Sequence, residues 1–445
     1  MNLKLRWNNF PFQPSKLPFF YGWVILFAGT IGVLVSAPGQ TMGVSVFTDY
    51  LIEAIGISRD NLSFAYMAGT IASSFALTWA GKMYDKYGAR IVGVVVSIWL
   101  GFVLLLFSQV DHIIGFLGGS LQSGIYTSIA IATFIFLFFM LRFAGQGVLT
   151  MVSRNMIMKW FIKRRGLVNG ISAVFISFGF SVAPLTFNLF IEEFTWRGGY
   201  LIMAGCIAIL FTIFVFIFFR DNPEDLGLVP DGEKSGNVDK DVIIKPFRQF
   251  TLKEARLTYS FWLFSLPLAV YALYITGFTF HLTSIFESAG LTKEMALGVF
   301  VPMSFISVLL SFFGGWISDK IKLKNLLYII TFGQIVGLFS LGNLDDGIFY
   351  YGFIIGNGIS SGLYSVLMAV TWPRFFGRDH LGKISGLVMA IIVFASALGP
   401  IIFSFSFSKL GSYQFGIFAV MAISAILFLM SFKADNPQRK FRENQ

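Results

Sequence analysis

Residues 134–139 read Phe134-Ile135-Phe136-Leu137-Phe138-Phe139, and they lie within an apolar stretch that runs from 127 to 152. A membrane-spanning helix needs about 20 apolar residues, because the helix rises about 1.5 Å per residue and the hydrocarbon core is about 30 Å thick. A strand of a membrane β-barrel would alternate apolar and polar side chains, and this run does not alternate. Since backbone groups in lipid must be hydrogen-bonded within the segment, the stretch predicts a transmembrane α-helix.

Eleven further segments of the chain share this length and apolar character. The composition agrees, because the chain is 56% hydrophobic and only 13% charged, whereas a soluble domain carries roughly 25% charged residues. So few charges cannot cover a water-facing surface, and most of the surface is expected to face lipid. We number the predicted spans 1 to 12 in chain order: 20–47, 60–80, 89–109, 127–152, 166–190, 198–219, 259–282, 295–318, 323–342, 348–371, 383–408 and 413–432.

The basic residues are placed asymmetrically between the spans. If the N-terminus is cytoplasmic, 28 of the 33 Lys and Arg residues fall in cytoplasmic segments, as the positive-inside rule describes. This pattern predicts a multi-pass protein of the cell membrane with both termini in the cytoplasm. The net charge of +10 is then explained by topology, so the lipid bilayer is the expected partner and nucleic acid is not.

One long polar stretch divides the spans into two groups of six. Its length and polarity suit a cytoplasmic linker, and Thr251-x-x-Glu254 predicts a capping box that opens a short surface helix before span 7. The predicted fold class is an all-α integral membrane protein with twelve transmembrane helices in two six-helix bundles. The expected domains are the N-terminus (1–19), the N-terminal bundle (20–219), the linker (220–258), the C-terminal bundle (259–432) and the cytoplasmic tail (433–445).

Two spaced features recur at corresponding helices of the two halves, which indicates a duplicated, pseudo-symmetric six-helix unit. Parallel repeats of this kind place a substrate site near the membrane midplane, between the halves. The paired features are Gly81-x-x-x-Asp85-Lys86 with Gly315-x-x-x-Asp319-Lys320, and Gly170 with Pro184 beside Gly386 with Pro400.

The loop after span 2 reads Gly81-Lys82-Met83-Tyr84-Asp85-Lys86-Tyr87-Gly88-Ala89-Arg90. It resembles the signature loop of the major facilitator superfamily, Gly-x-x-x-Asp-Arg/Lys-x-Gly-x-Arg/Lys. Span 4 carries Arg142-Phe143-Ala144-Gly145-Gln146-Gly147, which is similar to the fourth-helix motif of that superfamily. The resemblance covers the whole chain and implies the superfamily's fold and transport by alternating access.

A narrower resemblance points to the oxalate/formate antiporter and monocarboxylate transporter branch. It rests on Trp160-Phe161, on Arg164-Arg165-Gly166, on the run from Arg220 to Leu228 and on Phe261-Trp262. That branch typically uses basic residues inside spans 8 and 11 to hold substrate carboxylates. This chain departs from the pattern, because span 8 contains no Arg or Lys and span 11 has Lys383 only at its cytoplasmic start.

Arg142 is the leading candidate for substrate binding, because no other charge lies within ten residues of it on either side. An Arg at a helix centre costs roughly 2.5–3.5 kcal/mol on insertion scales, so it should face protein or a water-filled cavity. Gln146, four residues on, shares its helical face. Two interpretations of Arg142 remain open. It is an anion-binding or gating residue, or it hydrogen-bonds to carbonyl groups of a neighbouring helix.

The signature loop and its counterpart after span 8 supply the gating candidates. We expect their charges to form cytoplasmic clusters that hold one conformation closed, or else to anchor the loops by the positive-inside effect alone. The gating candidates are Gly81, Asp85, Lys86, Gly88 and Arg90 in the first loop, and Asp319 and Lys320 in the second.

Further candidates are polar residues within spans. Tyr271, Tyr274, Phe278 and His281 share one stripe of span 7, which either lines a cavity or forms an interfacial aromatic belt. Gln40 follows Pro38-Gly39, where a broken helix could expose backbone groups. Asn357, Ser360 and Tyr364 share a face of span 10 and bind either substrate or a neighbouring helix. The predicted substrate-binding set is Arg142, Gln146, Gln40, His281, Tyr274, Asn357 and Tyr364.

The sequence predicts a transporter and no enzyme. We find no catalytic constellation, no metal-ligand cluster and no cofactor motif, and nothing implies an obligatory protein partner. The expected substrate is a small organic anion such as a mono- or dicarboxylate. Since every Asp and Glu lies in a loop or at a span's edge, exchange or uniport is favoured over proton coupling. A neutral or zwitterionic solute or drug is the alternative substrate, and a non-transporting receptor or sensor is the alternative class.

Overall fold

The structure is a computed structural model that describes residues 10–118, 123–232 and 248–439. Within these ranges every regular element is helical, and nine helices are long and apolar enough to cross a membrane. The expected N-terminus, linker and tail fall in part outside the described residues, at 1–9, 233–247 and 440–445. The all-α membrane fold predicted from the sequence is confirmed.

The α-helices are labelled α1 to α17 in chain order. A π-helix, Phe143–Leu149, joins α5 to α6, and a second one, Cys206–Phe211, joins α7 to α8. The bounds are α1 Gly22–Val35, α2 Thr41–Ile55, α3 Arg59–Ser108, α4 Val110–Gly118, α5 Ser123–Arg142, α6 Thr150–Trp160, α7 Arg165–Gly205, α8 Thr212–Phe218, α9 Leu252–Ala255, α10 Tyr259–Phe280, α11 Leu282–Ser288, α12 Lys293–Gly298, α13 Phe300–Ser318, α14 Leu323–Gly342, α15 Ile348–Phe376, α16 Leu381–Leu410 and α17 Gln414–Met430.

The described chain has nine long apolar helices, whereas the sequence predicts twelve spans. Three backbone irregularities explain the difference. Helix α3 contains spans 2 and 3, and the continuous helical stretch Arg165–Phe218, made of α7, the second π-helix and α8, contains spans 5 and 6, because the chain turns sharply within α3 and within α7. The turns lie at Gly88, with φ of 84°, and at Thr195, with φ of 65°. Span 1 is interrupted between α1 and α2 and is therefore not among the nine.

Some sequence predictions need correction. The signature loop is mostly helical, because only Gly88 leaves helical geometry there. Span 4 continues to Trp160 and span 10 to Phe376, since hydropathy marks the hydrocarbon core and not the helical turns that project beyond it. His112, which lies between the predicted spans 3 and 4, is on α4.

The predicted capping box before span 7 is confirmed. The Glu254 amide donates to Oγ1 of Thr251 at 3.3 Å, and the Thr251 amide donates to the Glu254 carboxylate at 2.8 Å. The hydrogen bonds that the carboxylate accepts from the Thr251 amide, the Thr251 hydroxyl and Arg248 lower the pKa of Glu254 to about 2. The box opens the short helix α9, which leads the linker into α10.

The chain forms two compact units. Unit 1 comprises Met1–Trp160, Phe178–Asn237 and Ser385–Ala390, and unit 2 comprises Phe161–Ser177, Val238–Ile384 and Ile391–Gln445. Small residues let helices approach closely in both, as is usual where lipid supplies no hydrophobic driving force between helices. In unit 1, a Cβ on Gly69 would lie 2.6 Å from the carbonyl oxygen of Ile135. In unit 2, a Cβ on Gly277 would lie 2.9 Å from the carbonyl oxygen of Gly399.

We expect Gly399→Ala to lower the stability of the detergent-purified protein. A Cβ at this position would collide with the carbonyl oxygen of Leu273 on α10, and overpacking of this kind costs about 1–3 kcal/mol. The measurement is the thermal unfolding midpoint. Gly205→Ala is the matched control, since no atom lies within 4 Å of a Cβ placed there. Equal midpoints for the two variants would contradict the close α10–α16 crossing.

Candidate substrate and gating sites

Span 1 is broken at the position where the sequence places Pro38-Gly39-Gln40. Helix α1 ends at Val35, one 3-10 turn covers Ala37–Gly39, and α2 begins at Thr41. Proline lacks an amide N–H and disfavours helical geometry in the preceding residue, which explains the interruption. Gln40 is extended, with φ of −85° and ψ of 159°, and restarts the helix. The predicted exposure of backbone groups has its structural basis here.

The π-helix of span 4 packs directly against this break. A Cβ on Gly39 would lie 2.8 Å from Cα of Gly145, and a Cβ on Gly145 would lie 2.8 Å from Cα of Gly39. The two backbones touch, so neither position has room for a side chain. π-helical turns inside longer helices are frequent at functional sites. The contact brings the irregular parts of spans 1 and 4 together within unit 1.

Arg142 extends from span 4 into the break. Its side chain is buried, and Nη1 donates to the carbonyl oxygen of Gly39 at 3.0 Å and lies 3.5 Å from Oγ1 of Thr41. The guanidinium carbon lies 5.2 Å from the centroid of the Tyr66 ring, within cation–π range. Nε is buried and has no hydrogen-bond partner in the described chain. Arg142 therefore binds the neighbouring backbone, as one of the two interpretations expected, and retains an unused donor.

Gln40 and Gln146 flank the same break. Nε2 of Gln40 donates to Oγ of Ser36 at 3.0 Å and to Oγ1 of Thr150 at 3.4 Å. Oε1 of Gln146 is buried and accepts no hydrogen bond from the described residues. The structure thus brings Arg142, Gln146 and Gln40 together in unit 1. Our sequence reasoning missed Tyr66, because nothing in its local pattern distinguishes it from other aromatic residues facing neighbouring helices.

The predicted polar residues of spans 7 and 10 meet in unit 2. The Tyr274 hydroxyl donates to Oδ1 of Asn357 at 2.9 Å, and both residues are fully buried. The rings of Tyr271 and Tyr364 lie 5.1 Å apart. Nδ2 of Asn357 contacts Sδ of Met303 at 3.4 Å. These contacts join span 7 to its neighbours, and Asn357 binds a neighbouring helix, as one of its two interpretations expected.

His281 leaves the stripe of span 7 that the sequence pattern predicted. It follows the last residue of α10, and its Nε2 lies 3.1 Å from the carbonyl oxygen of Pro400 on α16. Because a carbonyl only accepts, this hydrogen bond requires the proton on Nε2. The Tyr413 hydroxyl lies 3.4 Å from Nδ1 and 2.9 Å from Oγ of Ser284. His281 therefore contacts spans 11 and 12, whereas Tyr274 contacts Asn357 in span 10.

The first gating motif is held by residues that sequence reasoning did not assign to it. The carboxylate of Asp221 accepts a hydrogen bond from the amide of Ala89, just after the turn at Gly88. Burial raises the pKa of Asp221, against the lowering effects of Lys159 and of the amide donors. Arg90 donates to the carbonyl oxygens of Phe216 and Phe10, contacts that the expected cluster with Asp85 did not include.

Two other members of this motif have local environments of their own. Gly81 is buried within α3, and Lys86 places Nζ 4.9 Å from the centroid of the Tyr87 ring. The sequence did contain a hint of this role of Asp221. Both the run from Arg220 to Leu228 and Trp160 belong to the narrower family resemblance, and the two segments are in contact. The indole Nε1 of Trp160 donates to the carbonyl oxygen of Asp221 at 3.0 Å.

The second gating motif centres on Asp319 in unit 2. Its carboxylate accepts hydrogen bonds from the amides of Gly166 at 2.9 Å and Leu167 at 3.1 Å, in the first turn of α7. Nζ of Lys320 lies 3.5 Å from the ring centroid of Trp316, and the basic side chains that act on Asp319 are Arg374 and Arg165. Free amides at a helix start attract a carboxylate. Burial raises the pKa of Asp319, against the lowering effects of these amides and of Arg374.

The fold and these sites together define a class of protein: a polytopic membrane protein with a broken helix and a buried charge inside the bilayer. The family model described as Major Facilitator Superfamily matches residues 29–356. The chain belongs to the major facilitator superfamily. It is accordingly a membrane transport protein and not an enzyme.

Individual relatives are distant. The chain is 20% identical to the probable sulfoacetate transporter SauU of Cupriavidus necator, over 90% of this chain and 93% of that one. It is 25% identical to human monocarboxylate transporter 12, over 58% of this chain and 54% of that one. Among solved structures, the proton:xylose symporter XylE gives a TM-score of 0.62 at 16% identity, with 94% of this chain and 98% of that chain covered. The human organic anion transporter MFSD10 gives 0.61 at 14% identity, with coverages of 94% and 100%.

We expect Asp319→Ala to destabilise the protein and Asp319→Asn to do so much less. Alanine leaves the Gly166 and Leu167 amides without acceptors, at about 1–3 kcal/mol, whereas an asparagine oxygen still accepts one of them. The pKa of Asp319 is raised because burial opposes its charge more than the two amides favour it, so a neutral side chain of the same shape avoids that desolvation cost. Thermal unfolding in detergent measures both variants, with exposed Asp346→Ala as the control. An asparagine variant as unstable as the alanine variant would show that the charge is required.

Proposed function

We propose that this transporter carries a small organic anion, with Arg142 as the residue that attracts the negative group. Alternating access would expose Arg142 first to one side of the membrane and then to the other. The transport mode we propose is exchange or uniport. We further propose a location in the cell membrane with both termini cytoplasmic, and two six-helix halves at 20–219 and 259–432 joined by the linker 220–258.

The observation that carries the proposal is the environment of Arg142. The guanidinium is buried and donates to the carbonyl oxygen of Gly39, but its Nε donor has no acceptor among the described residues. It can therefore donate a further hydrogen bond to a ligand. Hydrogen bonds from a charged donor to an anion are stronger than those between neutral groups. No carboxylate neutralises Arg142 among the described residues, since its contacts there are with a carbonyl, a hydroxyl and an aromatic ring. A substrate anion would supply the missing charge.

The comparisons support an anion without identifying one. The names of three relatives mention sulfoacetate, monocarboxylate and organic anion transport, and all three names denote anionic solutes. These proteins are at most 25% identical to this chain. The shared fold also includes a xylose symporter, so the fold alone does not select the substrate.

A neutral solute is the second candidate, and unit 2 is the reason for it. In the described part of spans 7 to 12, the polar groups at membrane depth are hydroxyls and amides, such as Tyr274, Asn357 and Ser360. Groups of this kind bind sugars as readily as carboxylates. Competition distinguishes the two candidates, because an excess of unlabelled anion would leave the uptake of a neutral substrate unchanged.

We expect Arg142→Gln to reduce uptake of a labelled monocarboxylate into proteoliposomes by about 10–100-fold. This range corresponds to the loss of one charge-assisted hydrogen-bonded contact of about 1.5–3 kcal/mol. Arg142→Lys should fall between this variant and the wild type, because lysine keeps the charge but loses the planar fork. Uptake should proceed without an imposed pH gradient.

The control for this experiment is Arg59→Gln. Arg59 is also an arginine of unit 1, but it is exposed and forms an ion pair with Asp49 at the surface. Thermal unfolding of each variant verifies that the protein is folded. Wild-type uptake by folded Arg142→Gln would remove Arg142 from the substrate site, and an equal loss in Arg59→Gln would show a nonspecific effect of charge.

A further inference from the structure

We propose that the break in span 1 is a binding site for a monovalent oxyanion group, a carboxylate or a sulfonate, held between the first turn of α2 and Arg142. This inference rests on the proposed function, and it adds the atoms that bind the anion and the number of charges that the site accepts. Three features of the described residues carry it: unused backbone amides, an unused guanidinium donor and the charge inventory of the spans.

The first feature is the start of α2. The amides of Gly43 and Val44 both donate to the carbonyl oxygen of Gln40, at 3.0 and 3.1 Å. The amides of Thr41 and Met42 donate to no acceptor among the described residues. The side chain of Gln40, at the N-cap position, makes no capping hydrogen bond. Two adjacent amide donors are therefore available at the end of a 15-residue helix.

A helix start of this length is electropositive. The aligned peptide dipoles place roughly half a positive charge there, and it is not screened by water when the helix begins inside a membrane. Discontinuous membrane helices in transporters commonly direct such half-helix starts at anionic substrate groups. The break in span 1 provides this arrangement in unit 1.

The second feature is independent of the helix. Arg142 comes from span 4, is only 3% exposed, and directs its guanidinium to this break, where Nη1 contacts Gly39 and Thr41. Its buried Nε remains without an acceptor in the described chain. The contact between Gly39 and Gly145 fixes the two backbones beside it. Amides from one span and a guanidinium from another thus converge on the same place.

The first residue of α2 gives the site an exposed edge. Thr41 is exposed, whereas Gly43 and Val44 in the same turn are buried. The Thr41 hydroxyl and the Tyr66 hydroxyl lie 2.9 Å apart, and one donates to the other. This pair borders the free amides with two further polar groups. A headgroup with several oxygens would accept from Thr41, Met42 and Arg142 together.

The third feature sets the charge of the ligand. Among the described residues, Arg142 is the basic residue far from both ends of a predicted span, and the remaining Lys and Arg lie at span edges or between spans. One guanidinium balances one negative charge. A dianion would bring a second charge into a low-dielectric region where the described residues offer it no basic partner, and an unpaired buried charge is strongly unfavourable. We therefore infer a substrate with a single negative charge and an uncharged remainder.

The sharpest variant removes one amide and leaves the helix intact. Thr41 is the first residue of α2, where proline is well tolerated because that amide has no partner within the helix. Gln40, with φ of −85° and ψ of 159°, already has the extended geometry that a residue before proline requires. Thr41→Pro therefore deletes the amide donor together with the hydroxyl. Thr41→Val deletes the hydroxyl alone, so the difference between the two variants isolates the amide.

Binding is measured by thermal shift of the purified protein with sodium butyrate, sodium methanesulfonate, disodium succinate and xylose, at constant ionic strength. A ligand that binds the native state raises the unfolding temperature with its concentration. We expect butyrate and methanesulfonate to stabilise the wild type, and succinate and xylose to do so at least tenfold more weakly. The dissociation constant for butyrate should be about tenfold higher in Thr41→Pro than in Thr41→Val.

Hydrogen exchange of the wild type gives a second test that needs no variant. Butyrate should slow the exchange of a peptide containing residues 41 and 42, and sodium chloride at the same ionic strength should not. Unchanged exchange with butyrate bound, or equal butyrate affinity in the two folded Thr41 variants, would overturn the proposed site.

The remaining outcomes separate this inference from the proposed function. Tighter binding of succinate than of butyrate would overturn the single-charge inference and leave anion transport standing. Stabilisation by xylose, with no effect of any anion, would overturn the proposed function itself, and the anion site with it.

Discussion

The structure depends on a constraint imposed by lipid: each backbone polar group at membrane depth must find a partner within the protein. Eleven of the twelve described spans meet it by helical hydrogen bonding, with local adjustment at prolines, bends and π-helical turns. Span 1 does not, because its helix stops at Val35 and restarts at Thr41. Arg142 meets part of the resulting demand by donating to the carbonyl oxygen of Gly39. The π-helix of span 4 and the contact between Gly39 and Gly145 let the two backbones approach closely, so that Arg142 reaches the break.

The two interpretations of Arg142 that the sequence left open are compatible, because they use different N–H donors. A guanidinium has five N–H donors, and one contact with a carbonyl leaves most of them available. The structural role holds Arg142 at the break, and the proposed binding role uses donors that the structural role leaves free. The same break supplies the amides of Thr41 and Met42. A position that is costly for membrane folding is thus the place where an anion would find the most donors.

The sequence predicts what depends on local chemistry and fails where a partner comes from a distant segment. Hydropathy predicts the spans, and Pro38-Gly39 predicts the break, because lipid thickness and proline geometry act on neighbouring residues. Helical spacing predicts which residues share a face with Tyr274, but it does not predict which helix lies opposite or that the helix ends before His281. Tyr274 hydrogen-bonds to Asn357, which is another candidate residue, whereas His281 hydrogen-bonds to the carbonyl oxygen of Pro400. The sequence also did not predict that Asp319 binds the amides at the start of α7, since free amides at a helix end leave no trace in the side-chain pattern.

The central claim, that the protein moves small anions, is tested most directly by counterflow with the wild type. Proteoliposomes preloaded with unlabelled butyrate are diluted into a trace of labelled butyrate, with equal pH on both sides. We predict transient accumulation of label that saturates with concentration and is absent from protein-free liposomes. No accumulation of butyrate or of any other labelled monoanion, together with accumulation of labelled xylose under the same conditions, would contradict the account.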